Sequence, residues 1–152
     1  MTKTMQAIIF CGIQATGKST FYKKNFFRTH VHLSLDLLKT RHREDVFLQA
    51  CLSTQQAFVV DNTNPTKTER EKYISAARQR KYKIIGYYFK SDIKDALSRN
   101  ALRTGKENIP EVGVRSTYKK FELPSLDEGF DELYIVEIKD NDFVINKYPN
   151  EI

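Results

Sequence analysis

Gly12-Ile13-Gln14-Ala15-Thr16-Gly17-Lys18-Ser19 follows the apolar run Ala7-Ile8-Ile9-Phe10-Cys11 and leads into Thr20-Phe21-Tyr22-Lys23-Lys24. The pattern is G-x-x-x-x-G-K-S between a buried strand and a helix, the context that gives this octet its meaning. Its glycines let the backbone curl so that successive N–H groups point inward, forming a nest for phosphate oxygens. The helix that follows adds unpaired N–H groups and the positive end of its dipole. Lys18 is placed to reach the β- and γ-phosphates, and the Ser19 hydroxyl to ligate Mg²⁺. Gly12, Gln14, Ala15, Thr16, Gly17, Lys18, Ser19 and Thr20 are thus the candidate contacts for a nucleoside triphosphate. The octet is silent on what receives the phosphate.

The bulk of the chain bounds the rest. Its 152 residues fit one domain, spanning 1–152, with room for a real core. No apolar run approaches the roughly 20 residues that span a bilayer. The start, Met1-Thr2-Lys3-Thr4-Met5, carries neither a signal nor a transit pattern. Cys11 and Cys51 are the two cysteines, spaced as small buried hydrophobes rather than a disulfide scaffold, so a cytoplasmic setting is expected. A net charge of +6 permits a polyanionic partner, yet such a surplus is also common on proteins that bind only ATP. Half of the tyrosines and phenylalanines fall in strand-like runs, where a core role outweighs base stacking.

Strand and helix patterns alternate outward from the octet. Residues 5–11 form the first strand, apolar without a break from Ala7 to Cys11, as a central strand of a parallel sheet should be. The helix after the loop is expected to run to about Phe27, with Phe21, Phe26 and Phe27 as its apolar face. Val31 to Leu35 alternates as a short strand closing on Asp36, followed by helical stretches over 37–41 and about 44–56. Asp36 is either the cap of a helix or a catalytic carboxylate on the rim that carries the phosphate loop. Ala57 to Val60 forms a strand ending in Asp61, a carboxylate suited to hold Mg²⁺ directly or through water. After the turn Asn62-Thr63-Asn64-Pro65, Thr66-Lys67-Thr68-Glu69 is a capping box that opens a helix of about fifteen residues.

Residues 82–89 make the fourth strand, and 91–103 a helix that stops at Gly105. On that helix Arg99 and Arg103 stand four apart, so both guanidinium groups leave one face. The pair is either a solvated stripe or a lid that neutralises charge on a transferred phosphoryl group. Pro110 opens a helix to about Phe121. Residues 131–139 and 143–148 read as strands joined by the turn Asp140-Asn141-Asp142, the last one an antiparallel edge. The three histidines show no metal-site spacing, and His32 reads as structural. The alternation gives a doubly wound α/β sheet.

Taken together, these residues resemble the kinase domain of polynucleotide 5′-hydroxyl kinases of the phage and eukaryotic end-healing type. The resemblance runs in order through nearly the whole chain. It implies an α/β fold of the P-loop NTPase type: a mostly parallel sheet flanked by helices, a helical lid and a C-terminal antiparallel edge strand. Ser34-Leu35-Asp36 matches the strand end that carries the family's general base, at Asp36. The family's acceptor-phosphate residue falls at Lys39, a lysine where arginine is usual, with Arg41 near enough to share the task. Val60 to Pro65 resembles the second acidic motif, which implies Asp61 with Ser19 at the metal and Asn62 and Asn64 toward the acceptor. Arg99-Asn100 and Arg103 match the lid arginines, and Ile109-Pro110, Arg115-Ser116 and Tyr118-Lys119 the last helix. Lys18, Asp36, Arg99 and Arg103 are the implied catalytic set, ATP and Mg²⁺ the implied cofactors, and nucleic-acid 5′ ends the implied partner. A small-molecule kinase would share the donor half of this site. A nucleotide-dependent switch would have no need of a base at Asp36.

Overall fold

In the computed structural model, residues 4–148 are described. The stretch Met1-Thr2-Lys3, and with it the expectation of a leader-free start, lies outside them. The apolar run becomes β1 (Gln6–Cys11), hydrogen-bonded in parallel to β3 (Phe58–Asp61) on one side and β4 (Lys83–Phe89) on the other. Beyond β3 lies β2 (Val31–Leu33), and beyond β4 come β5 (Glu132–Lys139) and β6 (Asp142–Lys147). The sheet order is therefore β2-β3-β1-β4-β5-β6, parallel except for the antiparallel β5–β6 pair. Asp140 and Asn141 both take positive φ (52° and 62°). That conformation makes the tight hairpin turn that suits the twist of its strands.

Alternation along β1 sends its side chains to two layers. Ala7 and Ile9 pack with Leu33, Phe58 and Val60 against α3 (Arg41–Thr54) and α4 (Lys67–Gln79) through Leu48, Leu52, Tyr73 and Ala77. Ile8 and Phe10 pack with Val59, Ile85 and Phe89 against α1 (Lys18–Asn25) through Phe21 and Tyr22. A strand covered on both faces is apolar along its covered length, which is why β1 shows no polar alternation after Gln6. A smaller cluster of Ile13, Ala96 and Val114 joins the phosphate loop to α5 (Ile93–Ala101) and α6 (Glu111–Lys120).

Several element ends differ from the sequence reading. Helix α1 stops at Asn25, so Phe27 is left 68% exposed, and of the three expected phenylalanines Phe21 and Phe26 serve the layer beside Tyr22. The short helix α2 (Leu35–Leu38) begins with Ser34 as its N-cap residue, which places Asp36 inside the first turn. Asp36 is thus not the cap. Helix α3 begins at Arg41, capped by the Thr40 hydroxyl accepting from Arg43 N, three residues earlier than the pattern suggested. Helix α5 ends at Ala101, so Arg103 lies past it and the expected shared face with Arg99 does not form.

Candidate active site

The phosphate loop leaves the carboxyl end of β1 and turns into α1 at Gly17. Gly17 has φ +91°, and a Cβ there would sit 2.8 Å from Phe143 Cε1 on β6. Only glycine meets both demands. Gly12 N donates to Thr63 O at 2.9 Å, which ties the loop to the turn after β3. The Thr16 hydroxyl is folded back onto Ile13 O (2.9 Å), so its contribution to the cradle is shape.

A cavity of about 300 Å³ opens over this loop at the carboxyl edge of the sheet. Of the sequence-expected residues, Gln14 to Ser19 form its floor. Asp36, Lys39, Arg41, Asp61, Asn62 and Asn64 line its walls, and Arg103 reaches it from beyond α5. Gly12 and Thr20 stay outside the lining. Arg99 also lies outside; its Nη1 donates to Ser91 Oγ (3.1 Å) and points at Ala15 O (3.4 Å), bracing the loop from behind.

Lys18 Nζ donates to Gly12 O (3.0 Å) and Ile13 O (2.8 Å). Burial lowers its pKa to about 8, against the opposing pull of Asp61, while the Arg103 guanidinium pushes the same way as burial. A lysine so destabilised as a cation gains from an incoming polyanion. The Ser19 hydroxyl donates to Asp61 Oδ2 at 2.8 Å. A hydroxyl and a carboxylate meeting on the cavity wall are hard oxygen donors that fit Mg²⁺ alongside phosphate and water. Among the described residues no group of three or more His, Cys, Asp or Glu side chains could hold a metal by itself.

The structure adds partners that pattern reading did not assign. His32 Nε2 lies 2.7 Å from the same Asp61 Oδ2, with its ring stacked on Tyr22 at 3.9 Å. Arg70, fully buried, grips both oxygens of Glu128 (2.9 and 3.2 Å) and donates to Asn64 O and Glu122 O. Asn64 in turn donates to Phe10 O at 2.8 Å, so its amide is engaged in holding the turn. Helical spacing could have revealed Arg70: it shares the buried stripe of Tyr73, Ile74 and Ala77. His32 had no local signal, because its partner is 29 residues away across a strand pairing.

The fold and this site define a kinase-like P-loop protein. The profile of a family described as an AAA domain matches residues 8–124, more than half of the chain, and the chain belongs to that family. A Schizosaccharomyces pombe protein named bifunctional polynucleotide phosphatase/kinase is 25% identical over 138 residues, covering 88% of this chain and 34% of that protein. The chain thus spans about a third of that relative's length. Kti12 of Chaetomium thermophilum, solved with ADP-AlF3, superposes with a TM-score of 0.68 at 14% identity, covering 88% of this chain and 90% of that one. A gluconokinase from Sinorhizobium meliloti 1021 does so with a TM-score of 0.59 at 14% identity, covering 88% and 84%. At such identity these two structures speak for the fold alone. No helix among the described residues is long and apolar enough to cross a membrane.

Proposed function

We propose that the protein transfers the γ-phosphate of ATP to the 5′-hydroxyl end of a polynucleotide. The observation that carries this reading is the Asp36 carboxylate in one cavity with Lys18 and the phosphate loop, flanked by Lys39, Arg41 and Arg103. The name of the fission-yeast relative supports the choice of acceptor.

In this account the loop's N–H groups and Lys18 hold the triphosphate. Asp36 takes the acceptor's proton as the hydroxyl oxygen bonds to the γ-phosphorus. The bond from that phosphorus to the β,γ-bridging oxygen breaks, and ADP leaves with the electron pair. On this reading Arg103, which lines the cavity, stabilises charge on the transferred oxygens, and Arg99 keeps the loop in shape. Ser19 and Asp61 would hold Mg²⁺, which when bound neutralises charge on the β- and γ-phosphates. Both cysteines are buried and unpaired, in keeping with a reducing cytoplasmic setting.

Incubation with γ-labelled ATP, Mg²⁺ and a 5′-hydroxyl DNA or RNA oligonucleotide tests the reading directly. Label on the oligonucleotide supports it; an unlabelled oligonucleotide sinks it. One observation favours a second reading, a kinase for small polyols. Glu69 and Glu107 line the same cavity and suit sugar hydroxyls better than a polyanion. ATP turnover stimulated by a sugar acid, with no oligonucleotide labelled, would decide for it.

A further inference from the structure

Glu44 is a fully buried carboxylate in the first turn of α3, and the transfer chemistry has no step for it. Its Oε1 accepts from Tyr73 OH at 2.6 Å, and its Oε2 accepts from Asn62 Nδ2 at 2.7 Å. Arg41 Nη1 donates to Tyr73 OH at 3.0 Å and stands 3.4 Å from Glu44 Oε1. Asn62 Oδ1 accepts from Leu35 N at 2.9 Å, the first residue of the helix that carries Asp36. One carboxylate therefore links α3, α4 and the β3 turn, and through Asn62 reaches α2. Burial first, and then the Glu44 contact, push the Tyr73 pKa upward, so its hydroxyl stays a donor.

Buried carboxylates are costly, and an apolar side chain would serve packing alone at least as well. What this carboxylate does that packing could not is fix a guanidinium at the cavity wall. Arg41 is held through one nitrogen on the inner side, yet the side chain remains half exposed and lines the cavity. Lys39 is the opposite case: its ammonium folds onto Asp36 O at 2.6 Å, on an exposed residue with φ +77°. A planar guanidinium held in place matches two phosphate oxygens; a flexible ammonium supplies only a point charge.

We infer that Glu44 and Tyr73 are positioning residues that aim Arg41, rather than Lys39, at a phosphate adjacent to the acceptor hydroxyl. The inference rests on the polynucleotide reading and deepens it. Arg41 then sets how far an acceptor with a phosphate beside the reacting sugar is preferred to a bare nucleoside.

The test compares a 5′-hydroxyl oligonucleotide with the unphosphorylated nucleoside as acceptors for Arg41→Ala, Tyr73→Phe and the double variant. Tyr73→Phe removes one hydroxyl and keeps the ring. It should raise the KM for the oligonucleotide about five- to tenfold, the net worth of about one ordinary hydrogen bond. Preference for oligonucleotide over nucleoside, as the ratio of kcat/KM, should fall by the same factor. In the Arg41→Ala background the same change should add less than about twofold, because it acts through the arginine. Glu44→Gln, which keeps shape and loses charge, should reproduce the loss of preference. Additive effects of the two changes, or a Tyr73→Phe protein that melts earlier with its preference intact, would overturn the positioning role and leave the kinase reading standing. An oligonucleotide left unlabelled by the wild-type protein would instead overturn both.

Discussion

In the proposed transfer, the donor and acceptor sides of this cavity are built in different ways. The donor side is backbone: a loop of contiguous residues, its turn set by Gly17 at φ +91° and its fit set by Phe143 behind it. The acceptor side is side chain: Asp36 and Lys39 on or beside a four-residue helix, held from outside by Asn62, Glu44 and Tyr73. A helix that short has no stability of its own and takes its position from what it packs on. The triphosphate grip is therefore local and the acceptor wall is a tertiary product. Changes on the first should abolish nucleotide binding, and changes on the second should alter which alcohol is used and how well.

Gly17→Val is the strongest test of that contrast. The branched side chain would collide with Phe143 and strain the turn, so ATP binding measured by calorimetry should be lost. Retained binding would mean the cradle does not depend on this backbone. Next in size, Arg103→Ala should cut kcat about 10³-fold, at the lower end of what arginine fingers contribute. Arg99→Ala should cost less, since that guanidinium braces Ala15 O and does not line the cavity. An equal loss at both positions would erase the distinction between them. Asp36→Asn should lower turnover at saturating acceptor about 10²-fold while ATP affinity holds, the signature of a lost base. Unchanged turnover there would remove Asp36 from the chemistry. Smallest of all, Lys39→Ala should raise the acceptor KM less than about threefold, because its ammonium is already spent on a backbone carbonyl.

Much of the architecture was legible in the chain because its signals are short-range. The G-x-x-x-x-G-K-S octet, the unbroken apolar strands and the Thr66 cap each depend on residues within a few positions of one another. The arginine pair shows where such reading stops. Spacing by four means a shared face only while the helix lasts, and α5 ends at Ala101. That early end frees Arg103 to turn into the cavity and leaves Arg99 behind the loop. Asp36 shows the same limit from the other direction, since a carboxylate near a helix start looks alike as cap or as base. Ser34 holds the cap position, and Asp36 is left exposed on the cavity wall. Glu44 carried a signal that pattern reading passed over: it shares the buried stripe of Leu48, Cys51 and Leu52 on α3. A carboxylate on such a stripe marks a polar network before any partner is known.

By itself the sequence determined the phosphate cradle, the parallel sheet that presents it and the Asp61 carboxylate that closes β3. Each of these is fixed by backbone conformation and side-chain period, properties a chain carries locally. Only the tertiary structure decided that His32 meets Asp61, that Glu44 and Tyr73 gather Arg41 and Asn62, and that Arg103 rather than Arg99 faces the cavity. Those pairings join residues far apart in the chain, and strand register, helix length and packing bring them within hydrogen-bond distance.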